Sequence, residues 1–264
     1  MKSNNRYLGA VIIAPILIFI FLGGVYLKYF TILLSAVGMY EFYKTMKAKD
    51  FNPIWPVGYV LLICYYFLNN DIEKLMYLLI VALLVLLCIP VINTKYTFID
   101  VALTILGFMY VGVFFSFIYL INLMPNGKFL VWLIFLASWL CDTVAYYTGK
   151  YLGKRKLCPK VSPKKTVAGS IGGLLGSTLA LTVYGFAINP YVHTIPLYHY
   201  IIIGILCGVF CQFGDLVASS IKRYVGIKDY SNLIPGHGGV LDRFDSILFA
   251  STIIYLYLHI VLSM

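Results

Sequence analysis

Charge is what this sequence has least of. Asp, Glu, Lys and Arg make up 11% of its 264 residues, against about a quarter in soluble domains. With 61% hydrophobic residues and a mean hydropathy of +0.91, a soluble globular domain is excluded. No linker-like, low-complexity or repeated segment is visible, so neither a tethered module nor a solenoid is expected. The phosphate-binding pattern G-x-x-x-x-G-K-[ST] is absent, which removes generic P-loop ATPase chemistry. The six cysteines form no C-x-x-C pair, and five of them (Cys64, Cys88, Cys141, Cys207 and Cys211) lie in apolar runs. They read as small apolar residues in helices, with no disulfide framework and no zinc site expected. The first apolar run follows Met1 to Tyr7 without a cleavage site and is expected to be retained.

Long hydrophobic runs fill what remains. At about 20 residues per crossing, the spacing predicts an all-α, polytopic membrane bundle of about nine spans: 8–27, 29–46, 54–70, 75–92, 98–124, 129–149, 168–188, 196–221 and 243–263. Only Lys28 separates the first two, which are therefore expected to form a tight hairpin. The net charge of +10 would point to nucleic acid in a soluble protein. Here the positive-inside rule explains it. With the N-terminus in the cytoplasm, seventeen of the 20 Lys and Arg residues fall on inside segments, and only Lys28, Lys74 and Lys128 lie outside. Both basic loops, 150–167 and 222–243, then face the cytoplasm, where nucleotides are.

The chain divides by chemistry. Residues 1–125 read as structural or dimerisation helices with one notable acid, Glu41, which is either a functional group or the partner of Lys44. Asp100 sits where a helix should start, and capping is its expected role. Residues 126–264 carry the candidate site. Asp142, Tyr146 and Gly149 stand at i, i+4 and i+7 and share a helix face. The loop to Thr166 holds seven basic residues and no acid. Its end, Ser162, Pro163, Lys164, Lys165 and Thr166, runs into the glycine-rich span from Gly169 to Ser177. A helix N-terminus with lysines and hydroxyls suits a polyphosphate, while the glycines themselves suit close helix packing.

Further on, Asp215, Ser219 and Lys222 again share one face. From Ser219 to Asp245 the chain reads S-S-I-K-R-Y-V-G-I-K-D-Y-S-N-L-I-P-G-H-G-G-V-L-D-R-F-D. Lys222, Arg223, Lys228 and Arg243 alternate with Asp229, Asp242 and Asp245 around Gly236, Gly238 and Gly239. Charge of both signs, this dense and ordered around glycines, suits a phosphate-rich substrate with a divalent cation. Asp215 and Asp242 flank one loop and are placed to converge on magnesium, which takes one or two protein carboxylates plus phosphate oxygens. Asp142 is a candidate second-ion ligand. Asp215 is alternatively neutralised by Lys222 or Arg223. His237 suits a general base, a phosphate donor or a loop residue alike.

The pattern S-x-x-K-R-x-x-x-x-K-D-x-S-x-x-I-P-x-H-G-G-x-x-D-R-x-D resembles the signature of the phosphatidate cytidylyltransferases, or CDP-diacylglycerol synthases, of bacterial type. The upstream D-T-x-A-Y-x-x-G-x-x-x-G-K, S-P-K-K-T and G-D-L-x-x-S segments resemble the same family, so the likeness covers about 140–245. Similar proteins often carry an acid shortly after S-P-K-K-T, where this chain has Ala168. The resemblance implies transfer of cytidylyl from CTP to phosphatidate for phospholipid synthesis. It further implies magnesium dependence, with a second, monovalent cation such as K+ in some relatives. It also implies a homodimer and a polar cavity facing the cytoplasm of the bacterial membrane. In that setting Asp215, Ser219, Lys222, Arg223, Asp242, Arg243 and Asp245 are the expected catalytic set. Ser162, Lys164, Lys165, Thr166, Lys228, Asp229, His237, Gly238 and Gly239 are the expected substrate contacts. The alternative from another class is a transporter of an anionic substrate, whose acids would sit nearer the midplane. A CDP-alcohol phosphotransferase would carry a D-G-x-x-A-R pattern, which is missing.

Overall fold

The computed structural model describes residues 17–68, 71–233, 236 and 238–264. After a short helical stretch over 17–22, α1 runs Gly24–Lys47, α2 Trp55–Phe67, α3 Ile72–Ile92, α4 Phe98–Leu123 and α5 Gly127–Leu152. A two-stranded ribbon, β1 Lys156–Cys158 and β2 Ser162–Thr166, leads into α6 Val167–Ile188. Then follow α7 Leu197–Val225 and α8 Leu241–Val261. Among the described residues, six helices, α3 to α8, are long and apolar enough to cross a membrane. This is an integral membrane protein. α2, at 13 residues, is shorter than the ~20 a bilayer core asks of a straight helix.

Local chemistry sets the ends. Asp71 accepts from the backbone N–H groups of Glu73 and Lys74 and caps α3. These bonds, with the Lys74 ammonium, hold its carboxyl below the usual range. Thr97 and Asp100 form the capping box of α4, and Asp100 also accepts from the Asn52 N–H at 2.5 Å. Thr166 caps α6 by accepting from the Gly169 N–H. The first break differs from the expected one. It falls at Gly23 and Gly24, with φ of 60° and 51°, because glycine adopts that region without a Cβ clash. Lys28 instead continues the helix. The other departure is the ribbon of β1 and β2 inside the basic loop, antiparallel with Lys156 opposite Thr166.

α5, α6, α7 and α8 pack successively, and α8 also packs on α4 and α5. The glycine ladder of α6 is a packing surface, as its spacing implies. A Cβ on Gly172 would strike Thr148, one on Gly173 would press Ala145 and Cys141, and one on Gly176 would strike Val144. On the next seam, Gly204 and Gly208 of α7 lie against the α6 backbone, where a Cβ would come within 2.7 Å of the Thr178 Cα and 2.8 Å of the Leu174 Cα. Backbone cannot step aside as a side chain can. Gly208→Val is therefore expected to cost about 1–3 kcal/mol of stability, read as a lower melting temperature in detergent. Leu179→Ala, on an exposed side of α6, should stay within about 0.5 kcal/mol of the parent. Equal melting temperatures for the two variants would refute the close-packed seam.

Candidate active site

The site is built where α7 ends, α8 begins and the 226–240 loop folds back between them. Gly226 ends α7 in the left-handed region at φ 84°, and Ile227 donates back to the Lys222 carbonyl. Asp242, in the first turn of α8, then gathers the loop. One of its oxygens accepts from the Lys222 ammonium at 2.6 Å, and the other accepts from the N–H groups of Tyr230 at 2.8 Å and Gly239 at 2.9 Å. Its side chain is 3% exposed. The Lys222 ammonium also lies over the Tyr230 ring, whose hydroxyl donates to the Ala218 carbonyl. Burial pushes that phenol well above its ordinary range, so it stays neutral and a donor.

Glu41 closes the other side of the loop. It comes from α1, 1% exposed, and accepts from the Ser231 hydroxyl at 2.6 Å and the N–H groups of Val240 and Leu241 at 2.9 Å each. Two N–H groups at the start of α8, free by the geometry of any helix start, are thus satisfied by a carboxylate nearly 200 residues away in sequence. Of the two readings of Glu41, the pair with Lys44 is not formed among the described residues: Lys44 lies over the Tyr40 ring instead. The glycines follow from these two acids. Gly238 has φ 82° and a Cβ there would come within 2.8 Å of the Asp242 carboxylate, while a Cβ on Gly239 would overlap that of Glu41.

A second compartment lies between α5, α6 and α7. Asp142, Tyr146, Gly149, Lys150, Lys164, Lys165, Thr166 and Asp215 line a cavity of about 410 Å³ together with Ser170 and Gln212. The shared face of Asp142, Tyr146 and Gly149 is therefore real. Asp215 is paired across the cavity with Lys165 at 2.7 Å and accepts from the Ser219 hydroxyl at 3.2 Å. Neither Lys222 nor Arg223 neutralises it, because Lys222 is committed to Asp242. Gly214 explains how Asp215 comes near α8: a Cβ there would press on the Asp245 carbonyl oxygen. Asp142, Asp215 and Asp245 are consequently electrostatic neighbours, with Lys165 the cation beside Asp142 and Asp215 and Lys222 the one nearer Asp245.

The remaining expected residues fall outside these two knots. Ser162 starts β2, opposite Cys158, away from the cavity lining. Arg223, Lys228, Asp229 and Arg243 are exposed, and among the described residues none of the four has an ion-pair partner. Among the described residues Arg223 donates only to the Ile227 carbonyl. His237 lies outside the described residues. Asp245 accepts from the Ser246 N–H and hydroxyl. Among the described residues, no three His, Cys, Asp or Glu side chains stand close enough together to hold a metal ion by themselves.

Glu41 gives a direct test of how the loop is held. Removing it leaves three donors without a charged acceptor, each such bond contributing about 1.5–3 kcal/mol. Glu41→Ala should lower the melting temperature clearly and expose the 231–241 backbone to hydrogen exchange, and Glu41→Gln should do so less. Parental exchange rates in Glu41→Ala would show that the loop holds itself.

The chain is similar to known proteins along nearly its whole length. The profile of the cytidylyltransferase family matches residues 4–261. A phosphatidate cytidylyltransferase of Bacillus subtilis strain 168 is 34% identical over 98% of this chain and 98% of its own length. A phosphatidate cytidylyltransferase of Staphylococcus epidermidis is 32% identical over 94% and 95% respectively. With both the acid–lysine knots and nearly the full length of the chain inside the match, this membrane protein belongs to the cytidylyltransferase family.

Proposed function

We propose that this protein transfers the cytidylyl group of CTP to phosphatidate, giving CDP-diacylglycerol and pyrophosphate. The observation that carries the reading is the 410 Å³ cavity, where carboxylates and lysines meet between membrane helices, in a chain that matches named phosphatidate cytidylyltransferases end to end. The lipid phosphate oxygen attacks the α-phosphorus of CTP, the bond to the β-phosphate breaks, and pyrophosphate leaves. A phosphate monoester has a second pKa of about 6, so it arrives largely ionised and needs no strong base. What it needs is alignment and charge neutralisation.

The residues divide that work. Lys164 and Lys165, beside the capped start of α6, bind phosphate oxygens. Arg223 and Arg243 have no carboxylate partner among the described residues and suit a bidentate grip on phosphate. Ser219 orients Asp215, to which it donates. The donor set fits a hard cation: the ammonium groups of Lys165 and Lys222 already sit 2.7 and 2.6 Å from Asp215 and Asp242 as stand-in cations. Magnesium would be held by Asp215 and Asp242, with phosphate oxygens completing the shell, and a second, monovalent cation would sit by Asp142 and Asp245. Bound there, magnesium supplies charge neutralisation for the departing pyrophosphate. We further propose about nine spans, a cytoplasmic N-terminus, a site facing the cytoplasm and a homodimer, on the strength of the Lys and Arg distribution and of the family.

The test is label transfer from [α-³²P]CTP into lipid by purified protein with phosphatidate, with UTP as control nucleotide. Magnesium-dependent label with CTP alone is expected. Asp215→Asn should lower turnover at saturating magnesium by about a hundredfold or more, the scale for losing an electrostatic anchor of the transition state. Near-parental turnover in that variant would remove Asp215 from the mechanism.

A further inference from the structure

Tyr110 is a buried polar group that the site described above leaves unused. It lies on a π-helical turn, Phe108–Val113, in the middle of α4. Such turns interrupt an otherwise regular helix and recur at functional sites. The residue is 6% exposed, and among the described residues its hydroxyl has no hydrogen-bond partner. The ring is held edge-on by Phe42 of α1, Phe114 of α4 and Phe249 of α8, with centroids 6.0 to 6.3 Å away. Three helices therefore fix where the hydroxyl sits. Its Phe249 contact places it against the face of α8 that carries Asp245 one helical turn earlier, within electrostatic reach of Asp245 and Asp215.

A buried hydroxyl left without a partner costs about 1–3 kcal/mol. A phenylalanine here would keep every ring contact and avoid that cost. The structure thus carries a buried donor that no described residue answers, beside the turn of α8 that holds a carboxylate of the candidate site. Asp245 has capacity to receive it: among the described residues its bonds from Ser246 both fall on one oxygen, so the other is open.

We propose that Tyr110 is a positioning residue for Asp245, its hydroxyl donating to the Asp245 carboxylate when a cation and phosphate occupy the acid cluster. The inference rests on the cytidylyl-transfer reading above. That bond fixes the carboxylate's orientation toward the bound cation. Stability is traded for a site that tightens on loading.

Tyr200 supplies the control. It is also fully buried, with a hydroxyl that has no partner among the described residues, but it packs on Gly185 near the other end of α7, and no described carboxylate acts on it. Tyr110→Phe and Tyr200→Phe are both expected to melt at or above the parental temperature. Only Tyr110→Phe should lower kcat, by about tenfold, the equivalent of one hydrogen bond of about 1.4 kcal/mol. Its KM for CTP should stay within about twofold, and its half-saturating magnesium concentration should rise severalfold. It should also lose much of the rise in melting temperature that magnesium with CTP confers on the parent. A Tyr110→Phe protein kinetically indistinguishable from Tyr200→Phe would overturn the proposal, as would a drop in melting temperature proportionate to the loss of activity. If the parent itself transfers no cytidylyl group, the parent reading fails. The magnesium-dependent melting shift of Tyr110→Phe against Tyr200→Phe then still decides whether the phenol serves the acid cluster.

Discussion

Carboxylates among membrane helices are expensive unless something positive answers them. In this protein the answer is two lysines: Lys165 on Asp215 and Lys222 on Asp242. Most of the local architecture follows from those pairs. Lys222 must reach Asp242 across the loop, so the loop turns at Gly226 and folds back until the N–H groups of Tyr230 and Gly239 meet the same carboxylate. Lys165, on the last strand of the β1–β2 ribbon just before α6, meets Asp215 of α7 in the cavity. A buried pair of this kind contributes little net stability when intact and is strongly destabilising when halved. Its value lies in holding the acids in place, ready for a different cation.

Glu41 extends the same logic to the N-terminal half. Two acids from opposite sides, Glu41 and Asp242, share the backbone donors at the start of α8, and the glycines between them are small because carboxylates fill the space a Cβ would take. The N-terminal helices are therefore part of the site's frame as well as of the bundle. α1 supplies Glu41, and α4 supplies Tyr110 through a π-helical turn. Ion pair, loop closure and helix start form one connected structure.

The sequence made much of this legible. The apolar runs located the helices, the i, i+4, i+7 spacings put Asp142 with Tyr146 and Gly149 on one cavity wall, and the α6 glycines announced a packing seam. Asp100 capped as its position implied. What stayed hidden depended on long-range pairing. Spacing alone offered Asp215 a cation seven residues away, in Lys222, but the three-dimensional choice went to Lys165, 50 residues upstream. Glu41 had a local lysine available and took three donors from the far end of the chain instead. Neither choice leaves a periodic trace, and the same is true of Tyr110, one aromatic among many until the π-helical turn and its missing partner single it out. The break at Gly23 and Gly24 was readable as glycine chemistry but was overshadowed by the charge at Lys28.

The central claim is that the acids now answered by lysines are the seat of a cation bound together with nucleotide phosphate. Pulsed EPR on Mn2+ added with CTP to the purified protein tests it most directly, because coupling to ³¹P reports phosphate at the ion. The account predicts a bound Mn2+ with ³¹P coupling in the parent, lost or much weakened in Asp215→Asn. An identical bound signal in that variant would contradict it.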